Sequence, residues 1–165
     1  GKASEIVFCI GKCAMILRAE STLVVSETPP QDDPFLVRAL RVVQGAILTV
    51  TRDVAVALET PTSHVGIRGT GFYTEARPDE TYFCTCYGVT DVASVSDPRA
   101  RETIHATHHD RPVYILRDAR DGRNIRNAPF INHTDQELAI IEELVGREPP
   151  FVFPKDSYSG PRRDY

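Results

Sequence analysis

The chain has 165 residues, 41% hydrophobic and 25% charged, the makeup of one folded domain with a real core rather than of a disordered or fibrous protein. Its net charge is −4 and its basic residues are scattered apart from Arg162-Arg163, which gives nucleic-acid binding no support. No apolar run approaches the roughly 20 residues that span a bilayer: the longest candidate, Ile6 to Leu17, is short and contains Gly11 and Lys12.

Residues 1–20 are apolar with interspersed polar groups and read as strand or short helix. The chain begins with Gly1 rather than Met, so a leader or anchor upstream is expected. Residues 26–34 carry three prolines and read as an exposed loop, which closes an N-terminal segment at about residue 35. From Phe35 to Val95 the pattern is β-like, with β-branched runs at Val42-Val43, Ala46 to Val50 and Val54 to Leu58. Val65 to Tyr73 is a strand punctuated by Gly66, Gly69 and Gly71, and Arg77-Pro78-Asp79-Glu80 turns it into a hairpin with Thr81 to Val89. Asp97 as N-cap with Pro98 at the first helical position predicts an insert helix near 98–109, stopped by Pro112. Val113 to Leu116 is a further strand, and Asp121-Gly122 a turn. Thr134-Asp135-Gln136-Glu137 is a capping box opening an amphipathic helix near 134–145 that ends at Gly146. Residues 147–165 read as an extended proline-rich tail.

The stretch Thr60-Pro61-Thr62-Ser63-His64-Val65-Gly66-Ile67-Arg68-Gly69-Thr70-Gly71-Phe72-Tyr73 resembles the signature of FecR-like domains. Leu40 to Leu48 upstream and Cys86-Tyr87-Gly88-Val89 downstream extend the match over roughly residues 36–95. The resemblance implies a small all-β domain, normally periplasmic. In the best-known members it lies behind a membrane helix and a cytoplasmic anti-sigma segment, and relays a signal from an outer-membrane iron transporter. This chain looks like a standalone subgroup of that family, carrying Tyr82-Phe83-Cys84-Thr85-Cys86-Tyr87-Gly88, His108-His109-Asp110 and Asn132-His133-Thr134-Asp135. The expected fold is mainly β, a compact FecR-like sheet or roll over 36–146 with the insert helix and the C-terminal helix attached.

Cys84 and Cys86 sit one residue apart on a strand, so both thiols point to one side and can reach one metal. His105, His108 and His109 follow closely. Thiolate with imidazole is the ligand set of zinc and of iron–sulfur centres, not of calcium or magnesium. The competing reading is a pair of buried thiols or a long-range disulfide to Cys9 or Cys13, because a bridge between i and i+2 on one strand is strained. A helix presents His105 with His108 or His109 on one face, whereas adjacent use of His108 and His109 needs a broken helix. Asp110 and Pro112 supply the break, and the subgroup pattern weighs against His105. The predicted metal ligands are therefore Cys84, Cys86, His108 and His109, with Asp110 orienting one imidazole. Cys9 and Cys13 read as a disulfide or core packing, the rival being an all-cysteine site shared with Cys84 and Cys86. His133 and His64 read as structural or surface histidines, and Arg68 as an inward arginine satisfied by backbone or carboxylate. The glycines at 66, 69 and 71 are no phosphate loop, since neither Lys-Ser/Thr nor a helix follows.

These residues predict a metal-binding protein with structural zinc or an iron–sulfur centre and without hydrolytic chemistry, and the FecR-like resemblance implies that it is periplasmic. A Cys-x-Cys to His-His order is not that of a Rieske pair, which counts against the redox version. The alternative is an accessory or scaffold subunit of a periplasmic or membrane complex, its cysteines disulfide-bonded and its tail, with Phe151, Phe153, Tyr158 and Tyr165, laid across a protein partner. Iron-responsive signalling is the third reading.

Overall fold

Three long strands organise the protein, and each changes partners halfway along. They are β4 (Ala39–Val50), β6 (Ser63–Ala76) and β7 (Glu80–Ser94), joined by the short strands β1 (Ile6–Ile10), β2 (Cys13–Leu17), β3 (Thr22–Ser26), β5 (Ala55–Glu59), β8 (Arg101–Ala106), β9 (Val113–Leu116) and β10 (Ile125–Asn127) into one sheet of ten strands. Among the described residues one helix, α1 (Asp135–Leu144), follows. The computed structural model describes residues 2–26, 39–51, 53–119 and 121–151. The proline-rich loop from residue 27 and the tail from residue 152, including Phe153, Tyr158, Arg162, Arg163 and Tyr165, lie outside the described residues.

The first half of β4 pairs with β3 and, in parallel, with β5, while its second half pairs with β2 and with the end of β6. Along β7, residues 88–93 pair with β8 and residues 80–83 with β9. Two apolar layers result. One holds Met15, Leu40, Ile47, Phe72, Phe83 and Ile115. The other lies on the opposite face, where Leu138 and Ile141 of α1 close over Ile16, Leu48, Tyr73, Tyr82, Cys84 and Cys86. The strands between the layers are buried on both faces, which is why Thr81 to Tyr87 read as a near-continuous run rather than a clean alternation.

A bulge between Arg68 and Phe72 shifts the β6–β7 register at the point where β7 changes partners. Gly88 sits there at φ +91, and a Cβ would lie 2.8 Å from Thr70 Cγ2 and 3.1 Å from the Gly69 carbonyl oxygen. Gly88→Ala combines left-handed strain with a backbone clash and is expected to cost about 2–3 kcal/mol in denaturant unfolding.

The hairpin turn holds as read: Arg77 N–H donates to Glu80 O at 2.9 Å and Ala76 faces Thr81. The capping box at Thr134 and Glu137 is formed, and Gly146 takes φ +69 just past the helix. Of the strand or short helix read over residues 1–20, Ile6–Ile10 and Cys13–Leu17 are strands that form the β1–β2 hairpin, which joins the same sheet as the rest. Other expectations are corrected. No helix spans 98–109: Asp97 accepts from the Arg99 N–H at 3.0 Å and closes a turn, after which β8 alternates exposed Thr103 and His105 with buried Ile104 and Ala106. The four cysteines are free. In the hairpin Cys9 faces Ala14 while Cys13 faces Ile10, so the two thiols point to opposite sides and do not bridge. Cys13 is buried, and burial pushes its thiol up to about 11, an inert core group. Arg68 is exposed and pairs with Asp91 on the outer surface, not inward.

Candidate metal centre

The thiols owe their position to the strand and the histidines to two connections that must cross it. Tyr82, Cys84 and Cys86 share the α1-facing side of β7. β8 leaves β7 at Gly88 and β9 joins it at Phe83, so residues 107–112 run past Cys84 and Cys86 along the vacated edge. The His109 N–H donates to the Cys86 carbonyl at 2.9 Å. Asp110 holds this crossing by accepting from the Thr107 N–H at 2.6 Å, the Thr107 hydroxyl at 2.8 Å and the His108 N–H at 3.3 Å. Its role is thus the loop backbone and not an imidazole. Those same donors hold the Asp110 carboxyl below its ordinary range. His109 takes φ +54, which turns its ring inward and His108 away.

The second crossing runs from β10 to α1. Ala128 N–H donates to Pro112 O at 2.8 Å, the Tyr82 hydroxyl donates to Pro129 O at 3.0 Å, and the Ile131 N–H returns to the Tyr82 oxygen at 3.3 Å. Asn132, at φ +65, then turns His133 over the thiols. The His133 ring stacks on Tyr73 with centroids 4.4 Å apart, and Phe130 walls both imidazoles at 4.3 and 4.5 Å.

Four ligand atoms converge: Cys84 Sγ, Cys86 Sγ, a nitrogen of His109 and one of His133, all within 4.8 Å of one another and all buried. Cys84 Sγ is 3.4 Å from His109 Nδ1, Cys86 Sγ 3.6 Å from His133 Nε2, and the two ring nitrogens are 3.3 Å apart. The outer nitrogens are occupied. His133 Nδ1 donates to the Ile131 carbonyl at 2.7 Å, and His109 Nε2 to Asp135 Oδ1 at 2.9 Å. A carbonyl and a carboxylate only accept, so each neutral imidazole presents its lone pair inward. A carboxylate behind a ligating histidine is the usual outer partner of a metal site. Asp135 is fully buried in the first turn of α1, where the helix dipole favours its charge.

The electrostatics fit a cation. For Cys84, burial raises the thiol, yet the hydrogen bond from Cys86 and the facing rings of His133 and His109 outweigh it and hold Cys84 well below the usual thiol range. Burial, then the hydrogen bond to Cys84 and its charge, push Cys86 well above it. His109 is raised despite its burial, by Cys84 first and Asp135 second.

The structure brings together Cys84, Cys86 and His109 of the predicted set and adds His133. His108 stands one step out: its Nε2 is 2.9 Å from Asp135 Oδ2, so Asp135 joins the two adjacent histidines. His108, His109 and Asp135 form a second, overlapping group of metal-ligating type. His105 and His64 are exposed on β8 and β6. The signal for His133 lay in Asn132-His133-Thr134-Asp135: the residue before a capping box whose Asp135 backs a ligand.

No family model matches this chain, and no curated protein matches it. Among solved structures it is similar to two crystal structures of a "putative anti-sigma factor" from Parabacteroides distasonis ATCC 8503. One has a TM-score of 0.57 at 13% identity, covering 95% of this chain and 79% of that one. The other has a TM-score of 0.54 at 14% identity, covering 95% and 78%. The mainly β fold is thus one that these structures share.

Proposed function

We propose that this chain is a FecR-like, zinc-bearing domain that binds a protein partner in a regulatory system outside the cytoplasm. The observation that carries the metal reading is the set of distances. A tetrahedral ion with bonds of about 2.3 Å to sulfur and about 2.05 Å to nitrogen sets sulfur–nitrogen edges of about 3.6 Å and a nitrogen–nitrogen edge of about 3.3 Å. The protein holds 3.4, 3.6 and 3.3 Å. The ligands are Cys84, Cys86, His109 and His133. A tetrahedral S2N2 set favours zinc, and four protein ligands leave no open position, so the ion's role is structural. A two-iron cluster interposes two irons and two sulfides between its ligand pairs, and ligand atoms within 4.8 Å of one another favour a single ion over it.

Two things support the regulatory reading: the Ile67-Arg68-Gly69-Thr70 stretch with its resemblance, and the fold shared with structures named as anti-sigma factors. The periplasmic location and the iron-responsive role rest on the resemblance. An interaction subunit is compatible with the same metal, which would then shape the binding domain.

Cobalt(II) titration tests the site. One equivalent is expected to bind, giving a thiolate-to-cobalt charge-transfer band and the intense visible bands of tetrahedral cobalt. A weak six-coordinate spectrum, or no binding, would refute the assignment.

A further inference from the structure

We propose that the outer edge of β1 pairs with β1 of a second copy of this chain, joining the two sheets across a twofold axis. This stands on the sheet edge and is independent of the metal. β1 ends the strand order, and among the described residues its backbone pairs with β2 alone. Open edges are normally blunted by charged side chains or proline. β8 carries Arg101, Glu102 and His105 on its edge, and β10 carries Arg126. Ile6-Val7-Phe8-Cys9-Ile10 has neither charge nor proline, and Ile6 is 59% and Val7 47% exposed. β3 is also uncharged but exposes a single large apolar side chain, Val24.

A second apolar strip lies alongside. Glu137 of α1 is 2.9 Å from Arg18, which also binds Glu5 at 2.7 Å, and Arg147 donates to the Lys12 carbonyl at 3.5 Å. The helix therefore runs along the β1–β2 hairpin from its open end toward its turn. Ile140 and Leu144 follow Glu137 at helical spacing on that flank and are 53% and 51% exposed. Val7 and Cys9, opposite Ile16 and Ala14, lie on the helix-bearing face of the sheet.

The occupant is a second copy because the strand complements itself. Antiparallel pairing centred on Phe8 sets Ile6 opposite Ile10, Val7 opposite Cys9 and Phe8 opposite Phe8, all apolar cross-strand pairs. The same register sets Glu5, held by Arg18 of its own chain, opposite Gly11 and next to Lys12 of the other copy, so no like charges meet at either end. Such an interface is isologous and closes at two copies. Val7 and Cys9 of both chains would then lie between the two Ile140–Leu144 strips.

Sedimentation velocity of the purified protein under reducing conditions tests this. A species of twice 18.4 kDa is expected at micromolar concentration. Val7→Lys, at a half-exposed position that leaves both cores intact, should raise the dimer dissociation constant at least tenfold. Val7→Cys, mildly oxidised, should give a covalent dimer through Cys9 of the other copy. A monomer at all concentrations, a dimer indifferent to Val7→Lys, or a dimer in which Val7→Cys fails to cross-link would overturn the proposal.

Discussion

Stripping zinc with a chelator is expected to lower the melting temperature by about 10 °C and to loosen α1 and the 107–110 crossing before the sheet. A metal on these four ligands would tie together three segments otherwise linked here by hydrogen bonds: β7 through Cys84 and Cys86, the β8–β9 crossing through His109, and the entry to α1 through His133. A ligand at a thousand times its dissociation constant stabilises by about 4 kcal/mol, and about 2–4 °C per kcal/mol is usual at this chain length. The sheet should survive, because the layer of Met15, Leu40, Ile47, Phe72, Phe83 and Ile115 lies on the face away from the ion. The helix retains Leu138, Ile141 and the buried Glu142, which accepts from Tyr87 and pairs with Arg147 at 3.1 Å, so it should open locally rather than vanish. Acid should act like chelator: thiols and imidazoles must be deprotonated to bind, so metal is lost as pH falls and regained as it rises. Thermal melts with and without chelator, with amide exchange read separately on 131–145 and on β4 and β6, check this. An unchanged melt, or loss of the sheet together with the helix, would contradict it.

His133→Ala is expected to abolish stoichiometric zinc binding, whereas His108→Ala should keep one equivalent. The contrast separates the two ligand sets that the chain offers. His133 supplies an inward lone pair at 3.6 Å from Cys86 and 3.3 Å from His109, while His108 Nε2 lies 2.9 Å from the far oxygen of Asp135. Loss of an outer partner generally costs 10–100-fold in metal affinity, so Asp135→Asn should fall in that range and His108→Ala below it. His133→Ala also removes a ring stacked on Tyr73, so misfolding could mimic metal loss. His133→Cys restores a ligand without the ring, and recovery of zinc in that variant assigns the effect to coordination. Equal losses in His108→Ala and His133→Ala would return the site to Cys84, Cys86, His108 and His109.

Much of the frame was legible because its signals are local. The 77–80 turn, the glycine-punctuated β6 and the Thr134–Glu137 box depend on neighbours a few residues away, and each forms as its sequence reads. The insert helix failed for the same reason: an Asp-Pro step opens a turn as readily as a helix. What followed was Arg-Glu-Thr-Ile-His-Ala, whose period of two is carried by only Ile104 and Ala106. Cys84, Cys86 and His109 were visible as residue types at close spacing. His133 was hidden because its burial comes from Tyr73 and Phe130, and no pattern around residue 133 encodes contact with β6. The orientation of adjacent histidines was likewise set by the positive φ of His109 and by Asp135, a contact 26 residues away.

Elemental analysis of the protein purified without chelator or metal-affinity resin tests the central claim most directly. Zinc near one per chain, without acid-labile sulfide, is the expected result. Iron with matching sulfide, or no metal alongside four free thiols, would contradict a structural zinc held by Cys84, Cys86, His109 and His133.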